Sequence, residues 1–194
     1  MDTSMYRWFN ALALKSGWAH APAVAYAKYG VAAFAVLLAV GWLRARPSPD
    51  PASRLSGVCW AGAAALVALA LGQLIGHAIR RPRPYAVIAG AHVLISRTSD
   101  FSFPSDHALV VGAVAAGLLL VDRRLGILAA VLAVAMAVTR VYVGVHYPGD
   151  VLAGLAIGAG VAVLGARPAS WLLVPVLRRA MASPARALVT SSRS

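Results

Sequence analysis

Four groups of polar residues interrupt a largely apolar sequence, and their residue types are the ones that handle phosphate. They are an arginine–proline run, a Pro-Ser-Asp-His tetrapeptide, a lone arginine and a His-x3-Asp pair, at positions 80–84, 104–107, 140 and 146–150. Guanidinium groups bind phosphate oxygens through a planar fork and remain charged. Two histidines beside such a site can act as nucleophile and general acid. The combination favours chemistry at phosphorus.

Each of these residue types predicts a role in such a reaction. We expect His146 to attack phosphorus, His107 to protonate the leaving oxygen, and water to hydrolyse the resulting phosphohistidine. Asp150 lies four residues after His146, one helical turn on, where it could hold one ring nitrogen and leave the other free. Arg83, Arg140 and Ser105 are expected to stabilise the phosphoryl oxygens.

The start of the helix after Pro104 is expected to supply further phosphate contacts, because helix N-terminal N–H groups bind anions. Asp106 belongs to this block, and three roles remain open for it. It could take part in catalysis, pair with a substrate-binding arginine, or interact with the helix dipole.

Composition excludes most soluble classes of protein. The chain has 194 residues, of which 60% are hydrophobic and 12% charged, with 18 Lys and Arg against six Asp and no Glu. Soluble domains carry about 25% charged residues. A single cysteine, Cys59, excludes a disulfide scaffold and a multi-cysteine metal site. The basic residues lie between apolar runs, which favours membrane topology over nucleic-acid binding.

The apolar runs predict an all-α, polytopic membrane bundle in one domain. A span of hydrocarbon needs about 20 helical residues. Five spans are expected, at 24–43, 57–79, 104–121, 124–143 and 149–166. An amphipathic interfacial helix is expected within residues 1–20, centred on 5–18. Residues 80–103 form the longest loop between spans, and residues 168–194 a basic tail, with 171–177 as a candidate surface segment.

Alternating spans bring the four polar groups to one side of the membrane. The opposite side carries arginines that the positive-inside rule places in the cytoplasm, namely Arg44, Arg46, Arg54, Arg123, Arg124, Arg167, Arg178, Arg179, Arg186 and Arg193. The side with the polar groups is also rich in arginine, against that rule, and anion binding gives a reason. Ionisable residues at membrane edges are costly, which favours a functional role.

These motifs resemble the type 2 phosphatidic acid phosphatase superfamily of integral-membrane lipid phosphatases. The second family block, Pro-Ser-Gly-His, corresponds to residues 104–107, and the third to Thr139-Arg140, five residues, His146, three residues and Asp150. Of the first block only Arg83-Pro84 is present, because Gly76 stands at the lysine position. The motifs cover residues 76–150.

Two departures resemble the bacitracin-resistance-type undecaprenyl pyrophosphate phosphatases, namely Asp106 in place of glycine and the missing lysine. The resemblance implies hydrolysis of undecaprenyl pyrophosphate to the monophosphate at the outer face of the bacterial plasma membrane, which recycles the cell-wall carrier lipid. It implies a lipid substrate in a bilayer, no cofactor, no metal and no nucleic acid. Arg80, Arg81 and Arg97 are the candidates for binding the second phosphate.

Three alternative functions remain open from the sequence. The substrate could be another lipid phosphate, such as phosphatidylglycerophosphate, phosphatidate or a phosphorylated polyprenyl ribose. The histidines and aspartates could instead bind a metal, although no acidic cluster suits a hard cation. A non-enzymatic lipid or anion transporter would carry its charges at the bilayer midplane, whereas here they lie at span ends. Polyprenyl chain length and oligomeric state are not predicted.

Overall fold

The computed structural model describes residues 1–183, and every regular element in that range is helical. A short 3-10 turn at Gly17–Ala19 separates the first two helices. The α-helices are α1 (Asp2–Lys15), α2 (His20–Tyr29), α3 (Val31–Ala45), α4 (Pro51–Ile79), α5 (Pro84–Val87), α6 (Asp106–Val121), α7 (Arg123–Tyr142) and α8 (Pro148–Met181). The predicted all-α class is confirmed.

Several of these helices are long and apolar enough to cross a membrane. Helices α4, α7 and α8 satisfy length and composition outright, while α6 is a shorter apolar helix. The predicted first span is broken at Gly30, where the segment Gly17–Tyr29 and helix α3 meet at 54°. A β-carbon on Gly30 would lie 2.5 Å from the carbonyl oxygen of Tyr26, so only glycine fits the bend.

Helix α6 forms the centre of the bundle and packs against α4, α7 and α8. Small residues allow this close approach, as is typical of helix pairs in membranes. A β-carbon on Gly154 of α8 would lie 2.8 Å from the Ser105 carbonyl, and one on Gly112 of α6 would lie 2.7 Å from that of Leu155. The first of these contacts fixes the start of α8 against the start of α6, where both polar blocks lie.

The outside of the bundle is apolar. Large hydrophobic side chains remain exposed along the helices, among them Val36, Leu66, Leu74, Val131, Leu152 and Leu164. Continuous exposed apolar surface on this scale indicates contact with a membrane or a partner. Together with the span lengths, it identifies the bundle as a multi-span membrane protein.

Helix α8 continues well beyond the predicted span of 149–166. It runs to Met181 with Pro168 and Pro175 inside it. Residues 168–181 are therefore helical and continuous with the last span. The rest of the predicted basic tail, with Arg186 and Arg193, lies outside the described residues.

Helix α1 confirms the predicted N-terminal helix and contacts the loops at the cavity end of the bundle. Its buried face carries Tyr6, whose hydroxyl donates to the Gly144 carbonyl at 3.2 Å. The side chain of Asn10 donates to the His92 carbonyl at 2.6 Å and accepts from the His92 N–H at 2.9 Å. Its other face exposes Trp8 and other large apolar side chains. The helix thus joins the 80–103 loop to the turn before α8.

Candidate active site

A cavity of about 360 Å³ opens at the end of the bundle where α6 and α8 begin and α7 ends. Its size lies within the range of small-molecule sites. The side chains that carry charge or could act in catalysis are Lys28, Arg83, Asp100, Asp106, His107, Arg140 and His146. The topology therefore brings together residues that are more than a hundred positions apart.

The turn between α7 and α8 presents His146 to this cavity. Gly144 has φ = +85°, a backbone conformation that residues with a β-carbon rarely adopt. A β-carbon there would also collide with the His92 carbonyl. The Leu94 N–H donates to the Val143 carbonyl at 3.1 Å and holds the turn from the other side. Because both sides are fixed, His146 occupies a defined position, 2% exposed.

The hydrogen bonds of His146 select one tautomer. Its Nδ1 lies 2.8 Å from the backbone carbonyl oxygen of Ser102. A carbonyl oxygen can only accept, so Nδ1 carries the proton and Nε2 carries the lone pair. Arg83 Nη1, which can only donate, lies 3.3 Å from Nε2 and donates to this lone pair at the cavity wall. The ring is thus oriented with its unprotonated nitrogen beside the Arg83 guanidinium group at the cavity wall.

The surroundings of His146 also keep it neutral. Burial lowers the pKa of His146 to about 4, and the positive charges of Arg140 and Arg83 act in the same direction. The Asp150 carboxylate, 3.8 Å from Nδ1, opposes this shift. At neutral pH the imidazole is therefore unprotonated, as a nitrogen nucleophile must be.

Arg83 is buried, and its guanidinium group contacts Asp100 and Val145 in addition to His146. Nε and Nη2 donate to the two carboxylate oxygens of Asp100 at 3.1 and 2.8 Å, while Nη1 donates to the Val145 carbonyl at 3.0 Å. Partial burial acts to raise the pKa of Asp100, but hydrogen bonds from Arg83 and Thr98 outweigh it and hold the pKa below its ordinary value. Asp100 therefore occupies, as a carboxylate, the fork that a phosphate would need.

Arg140 reaches the cavity from the last turn of α7. Its Nη1 lies 3.5 Å from the carbonyl oxygen of Ala27, which is in the last turn of α2. Its Nε is buried and has no hydrogen-bond partner within residues 1–183. An unpaired buried donor on a guanidinium group costs about 1–3 kcal/mol or more, which an anion in the cavity would recover.

The first turn of α6 supplies the second histidine. Asp106 and His107 both line the cavity, two and three residues after Pro104, which forms a cis peptide bond with Phe103. Asp106 accepts hydrogen bonds from Gln73 Nε2 at 3.1 and 3.3 Å. The structure thus gives Asp106 an amide partner on α4 and places His107 in the same cavity as His146.

Asp150 is fully buried, and its direct partners differ from the sequence expectation. It accepts from Ser102 Oγ at 2.5 Å, from the Tyr147 N–H at 2.9 Å and from Arg81 Nη1 at 2.7 Å. The sequence predicts that it holds a ring nitrogen of His146, but the Nδ1 hydrogen bond goes to the Ser102 carbonyl instead. Asp150 acts on His146 through Ser102 and through its charge at 3.8 Å.

Three arginines and one serine that the sequence predicts at the site do not line the cavity. Arg81 bridges Asp150 and Asp2 and stacks 4.0 Å from the Tyr147 ring. Arg80 ends α4 in a left-handed conformation and donates to the His77 carbonyl, and Arg97 lies over Tyr85. Ser105 is buried, and its Oγ has no hydrogen-bond partner among the described residues. None of the three arginines is among the residues that line the cavity.

Sequence reasoning missed three residues that the structure places at the site, namely Ser102, Asp100 and Lys28. Ser102 precedes the Pro-Ser-Asp-His block by two positions, which was its only signal. Asp100 is one of only six acidic residues, four of which are accounted for elsewhere in the bundle as caps or ion pairs. Lys28 is one of only two lysines but lies far from every motif.

A metal centre finds no support in the arrangement of donors. Within residues 1–183, no three His, Cys, Asp or Glu side chains converge as a metal site requires. Asp106 is paired with an amide and Asp100 with Arg83, so the two carboxylates that line the cavity are already engaged.

Comparison with known proteins agrees with this geometry. Residues 57–172 match the family model of the PAP2 superfamily. The undecaprenyl-diphosphatase of Sulfolobus acidocaldarius is 36% identical over 51% of this chain and 48% of its own. The bacitracin transport permease protein BcrC of Bacillus licheniformis is 31% identical over 81% of this chain and 75% of its own. The decaprenylphosphoryl-5-phosphoribose phosphatase of Mycobacterium tuberculosis is 44% identical over 54% of this chain and 56% of its own.

The chain spans about half the length of the first and last of these relatives. Among solved structures, the PAP2-type phosphatidylglycerolphosphate phosphatase of Bacillus subtilis aligns with a TM-score of 0.58 at 23% identity, over 92% of this chain and 84% of that one, and shares its fold. With more than half of the residues inside the family model, and with both histidine blocks in one cavity, the chain belongs to the PAP2 superfamily.

Proposed function

We propose that this protein is an integral-membrane lipid phosphatase that hydrolyses a polyprenyl diphosphate, undecaprenyl diphosphate in the first instance, to the monophosphate. The observation that carries the proposal is the state of His146. Its Nδ1 is held by a carbonyl, its Nε2 lone pair accepts from Arg83 at the cavity wall, and burial keeps the ring neutral. Two arginines and a second histidine line the same cavity.

The reaction begins when the Arg83 N–H that donates to Nε2 turns to the phosphate and Nε2 of His146 attacks the terminal phosphorus. A nitrogen–phosphorus bond forms, and the bond from phosphorus to the bridging oxygen breaks, with its electron pair passing to that oxygen. Arg83 and Arg140 stabilise the charge on the three equatorial oxygens. As phosphate enters, it replaces Asp100 as the acceptor of the Arg83 Nε and Nη2 hydrogen bonds. Arg140 Nε, which has no hydrogen-bond partner within residues 1–183, donates to a further phosphate oxygen.

The phosphohistidine is then hydrolysed by water. His107 protonates the leaving oxygen in the first half-reaction and removes a proton from the attacking water in the second. Inorganic phosphate leaves and His146 returns to its neutral state. During both steps the His146 ring carries positive charge, which the buried Asp150 carboxylate stabilises at 3.8 Å.

The substrate proposal draws support from the relatives. Two of them carry names that refer to undecaprenyl diphosphate or to bacitracin. Roles in cell-wall lipid recycling and bacitracin resistance follow from that choice. A second candidate substrate is a phosphorylated polyprenyl phosphoribose, because a relative with that activity in its name is 44% identical to this chain over 106 residues.

We further propose that the cavity faces the outside of the plasma membrane. The ends of α3 and α8 and the starts of α4 and α7 carry arginines at the opposite end of the bundle from the cavity. Positive residues at that end favour a cytoplasmic location for it. Protease protection of tags placed at either end in sealed vesicles would test this orientation.

A lipid panel tests the function directly. Phosphate release by the purified protein is measured with polyprenyl diphosphate, polyprenyl monophosphate, phosphatidylglycerophosphate and phosphatidate, each with and without chelator. We expect the diphosphate to be preferred and chelator to have no effect. His146→Ala should abolish release, whereas His20→Gln, a histidine outside the cavity, should not. A preference for monophosphates would overturn the substrate, and loss of activity with chelator followed by rescue with one metal would overturn the mechanism.

A further inference from the structure

One charged residue that lines the cavity has no role in the chemistry described above. Lys28 lies in the last turn of α2, and its side chain is exposed on the cavity wall. Within residues 1–183 it has no ion-pair or hydrogen-bond partner, in contrast to Arg83, which is paired with Asp100. An uncompensated ammonium group beside an anion-binding cavity raises the local concentration of anions and can bind one directly.

The fold holds this lysine at the cavity rather than at a random position on the surface. The bend at Gly30 ends α2 one residue after Lys28, and the last carbonyls of a helix have no partner inside it. One of them, that of Ala27, faces Arg140 at 3.5 Å. The Tyr26 hydroxyl donates to the Leu132 carbonyl at 2.8 Å and anchors the same turn to α7. Residues 26 and 27 thus fix where the neighbouring side chain can reach.

Depth within the cavity separates the roles of the cations. Arg83, Arg140 and His146 are almost completely buried, at 7%, 7% and 2% exposure, whereas Lys28 is exposed. A phosphoryl group under attack by His146 must lie at the buried end. The next group of the substrate then lies towards the opening, on the side of Lys28. In a lipid diphosphate this group is the lipid-linked phosphate, and in a monophosphate it is an uncharged alcohol carbon chain.

We propose that Lys28 binds the lipid-linked phosphate of a diphosphate substrate and stabilises the charge that this phosphate gains as the leaving group. This inference rests on the proposed function and assigns a specificity-determining residue to it. A lysine suits this position because its compact charge on a flexible chain can follow a leaving group without a fixed fork geometry. The three arginines expected from the sequence to bind a second phosphate do not line the cavity.

The test compares Lys28→Gln with Lys15→Gln, the only other lysine in the chain, which is exposed at the end of α1. Purified full-length protein in lipid vesicles is assayed on polyprenyl diphosphate and on polyprenyl monophosphate. We expect Lys28→Gln to lower kcat/KM for the diphosphate by about 10- to 100-fold while changing that for the monophosphate by less than about threefold. Lys28→Arg should restore much of the loss, and Lys15→Gln should behave as wild type.

Binding of inorganic anions gives a second measurement. The inhibition constant of inorganic pyrophosphate should rise in Lys28→Gln by a similar factor, while that of inorganic phosphate stays unchanged. Unchanged monophosphate turnover also shows that the variant is folded. Equal losses on both lipids, or no loss on the diphosphate, would make Lys28 an interface residue and overturn the inference. Failure of the wild-type protein to hydrolyse any lipid phosphate would instead overturn the proposed function.

Discussion

The charge of Asp150 offers the most demanding test of how His146 is activated. Substitution Asp150→Asn keeps the size of the side chain and removes its charge. The ring of His146 becomes cationic when Nε2 bonds to phosphorus, and the carboxylate lies 3.8 Å from Nδ1. At an effective dielectric constant of about 20, two unit charges at that distance attract by about 4 kcal/mol.

Arg81 shares the carboxylate and reduces this attraction, so the expected loss is about 2–4 kcal/mol, or about 30- to 1,000-fold in turnover. The Ser102 carbonyl still holds Nδ1, so the tautomer should survive the substitution. Loss of the nucleophile in His146→Ala should be far more severe, at about 10⁵-fold or more. Asp150→Asn should therefore lie between wild type and His146→Ala.

The assay is single-turnover phosphate transfer by purified protein, with thermal unfolding measured in parallel. Asp122→Asn is the matched control, because Asp122 also caps a helix and pairs with an arginine, Arg44, but at the other end of the bundle. It should lose stability without a comparable loss of turnover. A folded Asp150→Asn variant within about threefold of wild type, or as inactive as His146→Ala, would refute the electrostatic role.

Three further predictions concern other parts of the site. Since the pKa of His146 is lowered to about 4 and the neutral ring is the active form, kcat/KM should fall on the acid side only near pH 4, after correction for ionisation of the substrate. A fall at pH 6–7 that arises from the enzyme would contradict this. His107→Gln should slow the first turnover of a monophosphate by about 10²–10⁴-fold and that of a diphosphate much less. The diphosphate releases a phosphate, whose conjugate acid has a pKa of about 6, whereas the monophosphate releases an alkoxide, whose conjugate acid has a pKa close to that of water, about 15.7. Equal losses on the two substrates would argue against His107 as the general acid. Arg83→Lys should lower kcat/KM about 100-fold, since one ammonium group cannot replace the contacts of the guanidinium group with Asp100 and Val145. The control Arg80→Lys lies outside the cavity and should leave kcat/KM unchanged. An active Arg83→Lys enzyme would place the phosphate contact elsewhere.

The sequence predicts well those features that depend on residue type and periodicity. Apolar runs of sufficient length predict the helical membrane class, and alternation of spans predicts that His107, His146, Arg83 and Arg140 meet at one end. The structure places all four around one cavity. Their convergence follows from topology alone, because each lies at a span end that faces the same side.

Features that depend on backbone groups or on helix bends leave little trace in residue types. The partner of His146 Nδ1 is the carbonyl of Ser102, and every residue has a carbonyl, so no side chain signals it. The bend at Gly30 brings Lys28 to the cavity, yet a single glycine in an apolar run is a weak signal of a break. Arg81 differs in another way, since its expected anion is present but belongs to the protein itself, as Asp150 and Asp2.

The length of α8 also differs from the sequence prediction. The charge-free apolar run ends at Ala166, so the sequence predicts that the last span ends there. The structure continues the helix through Pro168 and Pro175 to Met181. Packing of Gly165 against the Trp60 ring, with the Trp60 indole N–H bonded to the Ala162 carbonyl at 2.8 Å, holds α8 to α4 just before the proline.

Direct detection of the covalent intermediate tests the central claim most closely. Purified protein is mixed with polyprenyl diphosphate labelled in its terminal phosphate, quenched in alkali, which preserves phosphohistidine, and digested for mass spectrometry. We expect label on the peptide that contains His146, at Nε2, and none in the His146→Ala variant. Label on His107 instead, or turnover without any labelled histidine on the millisecond timescale, would contradict it.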